Sequence, residues 1–77
     1  LTVLKEFRGL QGQAGGMYQT YELYLREHAG GEPRFEPLTC HSAVQAMRKA
    51  RDLLEADKAI ASVEVRLAGV HLFTLDR

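Results

Sequence analysis

Residues 42–57, SAVQAMRKARDLLEAD, read as an amphipathic helix and decide how the rest of the chain is organised. Ser42 stands where its hydroxyl can accept from the N–H of Gln45. Gln45 stands where its side chain can reach back to the N–H of Ser42, which makes a capping box. Ala43, Ala46, Met47, Ala50, Leu53 and Leu54 recur at spacings of three and four and form one apolar stripe, with Gln45, Arg48, Lys49, Arg51, Asp52 and Glu55 elsewhere on the wheel. The alanines let the helix approach its support closely, so the larger side chains of the core are expected from strands.

Upstream, Met17 to His28 alternate over the longest such run in the chain. Tyr21, Leu23 and Leu25 fall on one side, and Thr20, Glu22, Tyr24 and Arg26 on the other, the pattern of a half-buried strand. Ala29 to Pro33, AGGEP, is a turn by composition. Arg34 to Cys40 returns as a strand, but Pro33 and Pro37 lack an N–H and confine it to a sheet edge.

Downstream, Ser62 to Leu75 predict a second hairpin, and two registers compete. A three-residue loop over Leu67, Ala68 and Gly69 places Val63, Val65, His71, Phe73 and Leu75 together and leaves Val70, Leu72 and Thr74 on the other face. A two-residue Ala68-Gly69 turn groups Val70 and Leu72 with the valines instead and exposes His71 and Phe73. The first is favoured, because alanine is a poor occupant of a turn that demands positive φ. The expectation is a small α+β domain over residues 17–77: hairpin, helix, hairpin, with one antiparallel sheet and the helix on one of its faces.

Residues 1–8, LTVLKEFR, alternate well enough for a further strand. Residues 9–16, GLQGQAGG, hold four of the seven glycines and read as a loop or linker. Met17 directly after it is a candidate start, which would make residues 1–16 an extension.

Composition restricts function. With 45% hydrophobic and 26% charged residues the chain is of globular type, and ten basic against ten acidic residues give zero formal charge. That balance removes the usual electrostatic argument for nucleic acid or an anionic membrane and favours self-association. Cys40 is the lone cysteine and no run has the length of a membrane span, which fits a reducing cytoplasm. Seven arginines to three lysines suggest a GC-rich bacterial source.

The candidates for chemistry are few. Cys40 and His41 precede the helix N-terminus, whose positive end can lower a thiol pKa, and with His71 they make a candidate ligand or thiol site. Adjacent residues on an extended chain point apart, so Cys40 and His41 are no dyad by adjacency. His28, His41, His71 and Cys40 match no zinc spacing, and the glycines at 9–16 lack the lysine and hydroxyl of a phosphate loop, so no metal or cofactor is expected. Arg48, Lys49 and Arg51 make a basic helix patch which, with Tyr18 and Tyr24 on the sheet, supports nucleic-acid binding as a secondary alternative. Pairing of Arg48 with Asp52 and of Arg51 with Glu55 would neutralise it. No catalytic residue is assigned. The leading expectation is an interaction module, as a homodimer or on a protein partner, using Tyr18, Tyr24, Val70 and Leu72 on the uncovered sheet face. In the two-residue register, His71 and Phe73 replace the last two.

Overall fold

The computed structural model describes residues 18–77, so the strand expected over residues 1–8, the glycine loop and the Met17 start lie outside the described residues. Strands β1 (Gln19–Glu27) and β2 (Arg34–Cys40) form a hairpin, α1 (Ala43–Ala56) follows, and β3 (Ile60–Leu67) and β4 (Val70–Asp76) form a second hairpin. The sheet is antiparallel between all neighbours in the order β2-β1-β3-β4. Since β2 and β3 both run against β1, they are parallel to each other. The helix is therefore the crossover of a split β-α-β unit whose gap β1 fills.

The helix begins where the capping residues place it. Ser42 is extended, and its Oγ accepts from Gln45 N–H at 3.3 Å. The return bond goes one residue earlier than expected: Gln45 Oε1 accepts from the N–H of His41 at 2.8 Å. At the other end no basic residue stands in the last turn, and Arg77 supplies the missing positive charge from the end of β4. Its guanidinium donates to the carbonyls of Leu54, Asp57 (2.8 Å) and Ile60 (3.0 Å), tying the helix C-terminus to the start of β3.

Ala43, Ala46, Ala50 and Leu54 are the buried helix residues, with Met47 and Leu53 packed at their margin. The sheet supplies the bulk, as the alanines require: Tyr21, Leu23, Leu25, Ile60, Val63, Val65, Leu72, Phe73 and Leu75 complete the core. Leu38, opposite Tyr21, packs against it too.

Two bulges control what enters that core. Arg26 faces Ser62 but Glu27 faces Ile60, so Ala61 is the extra residue and Ile60 turns inward. Val65 faces Phe73 but Arg66 faces His71, so Leu72 is extra in β4. The hairpin therefore follows neither of the two expected registers. Leu67 pairs with Val70, which makes Ala68-Gly69 a two-residue turn, yet the bulge restores Phe73 and Leu75 to the core beside Val65 and Val63. Without the bulge, the Val65–Phe73 register would continue to a Leu67–His71 pair. Leu72 would then leave the core, and β-branched Val70 would enter a tight three-residue loop.

The turn does put alanine where alanine is disfavoured. Ala68 has φ 53° and Gly69 φ 81°, the pair of positive values of a primed hairpin turn. A left-handed alanine costs about 1–2 kcal/mol, and asparagine is the preferred residue before glycine in such turns. Ala68 is exposed, so Ala68→Asn should stabilise the fold by about 1 kcal/mol without changing any contact. Chemical denaturation reads this as a higher midpoint at unchanged slope. A lower midpoint would show that the turn is not strained.

Candidate functional site

The sheet face away from the helix is built by the residues that alternate with the core. Successive pairs across β1 and β2 there are Thr20–Thr39, Glu22–Pro37 and Tyr24–Phe35. One step beyond the ladder, Tyr18 stacks on His41 with ring centroids 4.0 Å apart. The four rows form a strip about 20 Å long, six residue steps at roughly 3.4 Å each. Tyr24 and Phe35 meet at 5.3 Å in a tilted pair at one end, and the Tyr18–His41 pair closes the other. Between them the Thr20 and Thr39 hydroxyls share a hydrogen bond of 2.9 Å. Tyr18 is 64% and Phe35 50% exposed.

The β3–β4 half of the same face is charged. Arg66 Nε lies 2.9 Å from Glu64 Oε2, its Nη1 donates to Gly69 O at 3.2 Å, and its guanidinium carbon sits 5.9 Å from the Tyr24 ring centroid. Glu22, the one charged residue of the strip, accepts from Gly69 N–H at 3.3 Å and is drawn toward the β3–β4 turn. His71 and Thr74, three apart because of the bulge, share a hydrogen bond of 3.0 Å.

The residues expected on this face divide. Tyr18 and Tyr24 are there. Leu72 is not: it is 7% exposed and part of the core, because the bulge turns it inward. Val70 is 62% exposed, but it pairs with Leu67, which pairs with Tyr21, so it lies on the helix side of the sheet. Of the two substitutes, His71 lies on the open face and Phe73, 1% exposed, is buried. Phe35, half-exposed on this face, is the ring that the sequence reading did not single out. Its signal was available, since antiparallel pairing opposite Tyr24 puts it on the face of Tyr24.

The ligand site expected at Cys40, His41 and His71 does not assemble. Cys40 faces the helix side and His71 the open side, on the two outer strands, three strand spacings or about 14 Å apart. Cys40 Sγ donates to Ser42 O at 3.5 Å, and burial pushes its thiol pKa up, opposite to the effect expected from the helix dipole. Tyr21 is raised likewise, by burial first and by the charge of Cys40 second. Both groups thus hold their protons more tightly in the folded state. Stability is full below the ordinary thiol range and falls as pH rises from about 8.5 upward, because the unfolded chain then releases protons that the folded chain keeps. Cys40→Ala should flatten the first part of that decline and Tyr21→Phe the later part. Denaturation midpoints between pH 7 and the phenol range check this, and an unchanged alkaline slope in both variants would refute it.

Among the described residues no cluster of three or more His, Cys, Asp and Glu side chains could hold a metal ion. Among the same residues no helix is long and apolar enough to cross a membrane. The basic helix patch of Arg48, Lys49 and Arg51 is exposed, and the expected pairs with Asp52 and Glu55 do not form. The ion pairs among the described residues are Arg34–Glu27 and Arg66–Glu64. The patch also lies across the sheet from Tyr18 and Tyr24, so basic and aromatic surfaces do not combine. An open cleft of about 210 Å³ at the helix C-terminus, lined by Arg51, Leu54, Glu55, Leu75, Asp76 and Arg77, contains the guanidinium already spent on backbone carbonyls. No protein-family model, no curated protein and no solved structure matches the chain.

Proposed function

We propose that this domain acts by contact, through the β1–β2 strip of its open face, with no chemistry of its own. The observation that carries the proposal is the segregation of that face. The exposed rings of Tyr18 and Phe35 and the partly buried rings of Tyr24 and His41 stand with two threonines and a proline on one side, and, Glu22 apart, the charges stand on the other. Aromatic, weakly charged patches of rigid side chains are the usual cores of protein interfaces. Nucleic acid is disfavoured on the same strip, where Glu22 and Glu64 flank Tyr24 and would repel a phosphate backbone.

The edges support a face over an edge. Pro37 removes a donor from the middle of β2, and the bulge at Leu72 distorts β4, both of which oppose strand addition. A reducing cytoplasm suits a partly buried, unpaired Cys40.

The proposal predicts that the strip rings serve contact and not the fold. Phe35→Ser should lower stability by less than about 1 kcal/mol, since half of the ring is already in water and removing it leaves no cavity. Denaturation of the full chain provides the figure. A loss as large as that of a core truncation would return the Tyr24–Phe35 pair to a structural role and sink the proposal.

A further inference from the structure

The strip is nearly symmetric about its own middle. A cross-strand ring pair stands at each end, Tyr18–His41 and Tyr24–Phe35, and the rows between are Thr20–Thr39 and Glu22–Pro37. An isologous interface has to be self-complementary, because every contact occurs twice across the two-fold axis. We infer that the occupant of the strip is a second copy of this chain, docked face to face about an axis that crosses the strip between Thr20 and Glu22. This rests on the contact surface proposed above and adds the identity of the partner.

The geometry supplies the pairings. The axis brings Tyr18 over the second copy's Tyr24, and His41 over its Phe35, ring against ring at both ends. In the middle, Thr20 falls over the second copy's Glu22, a hydroxyl donor over a carboxylate that is already a hydrogen-bond acceptor. Zero formal net charge leaves no long-range repulsion between copies. The strip covers about 200 Å² of sheet, well below the roughly 800 Å² per partner of a standard interface, so the dimer is weak and reversible.

Photochemically induced nuclear polarisation with a flavin dye reports ring accessibility of tyrosine and histidine, and three of the strip rings are of those types. The experiment uses the full chain from about 10 µM to about 1 mM, with the mass followed by light scattering. Tyr21, fully buried, is the silent control, and His28, exposed in the β1–β2 turn, is the responsive one. The expected result is that Tyr18, Tyr24 and His41 respond at low concentration and lose more than half of their signal as the mass doubles, while His28 does not change. Phe35→Ser removes the ring that lies over the second copy's His41 on each side of the axis and should move that transition at least tenfold higher in concentration. Strip rings that respond equally at every concentration, whether the mass stays monomeric or doubles, overturn the second copy and leave the strip open to another protein. Strip rings silent in the monomer overturn both the second copy and the contact surface, since the chain itself would then cover them.

Discussion

Phe73→Ala is expected to lower stability by about 3–5 kcal/mol, the range for removing a buried aromatic ring whose site cannot collapse. Phe73 is 1% exposed and lies on β4 between Leu72 and Leu75, opposite Val65, in the core beneath the helix. Small domains are held by about 5–15 kcal/mol in total, and one this short belongs at the low end. The variant should therefore be substantially unfolded at room temperature, or fold only with a midpoint near zero denaturant. The prediction depends on the bulge at Leu72. In the two-residue register continued without a bulge, Phe73 would stand in water beside His71, and its truncation would cost no more than that of Phe35. A urea midpoint for Phe73→Ala close to that of the Phe35→Ser variant would show that β4 does not bulge.

The two bulges also explain where the sequence stopped being legible. Strict alternation identified the strands and five of their inward residues without error: Tyr21, Leu23, Leu25, Val63 and Val65. These lie in stretches where the ladder is regular. The helix stripe was equally legible, because its period is set by the backbone and no glycine or proline interrupts it. Ile60 was missed because the second hairpin was expected to begin only at Ser62, and Leu72 because it is itself the extra residue that reverses the parity of β4. Nothing in the local sequence marks either insertion. Each is decided by the long-range gain of burying one more large side chain, which outweighs the left-handed alanine at position 68 and the broken ladder bonds.

The list of residues expected on the open face suffered from the same cause. Val70 and Leu72 were assigned to the open face through a register that the structure does not adopt, whereas Tyr24, on regular β1, and Tyr18, which continues its alternation one step before the strand, do lie there. Phe35 illustrates a different limit. A short strand containing proline carries too weak a period to show which way its residues point, and only the pairing with β1 settles it. The separation of Cys40 from His71 belongs to topology, since the crossover of α1 puts their strands at opposite edges of the sheet.

Ala50→Leu is expected to destabilise by about 1–3 kcal/mol, through overpacking and not through any lost contact. Ala46 and Ala50 are both fully buried where the helix lies chiefly over β3, and the core there is completed by the valines, Phe73 and the leucines of β1. Leucine is as good a helix former as these positions accept, so intrinsic propensity changes by only a few tenths of a kcal/mol. Three added carbon atoms then have no volume to enter. Either the helix lifts from the sheet or the strand side chains leave their rotamers. Val44→Leu on the same helix is the control: Val44 is 46% exposed, and the change should fall within about 0.5 kcal/mol. Equal and small effects at both positions would mean that the helix stands off the sheet with room beneath it. In that case the alanines would reflect composition alone, and the close approach inferred from them would be wrong. A large effect at Ala50 with none at Val44 ties the small residues of the stripe to the bulk of the strands. One face of the sheet is then fully committed to the helix, and the proposed contact has to use the other, the Tyr18–Phe35 side.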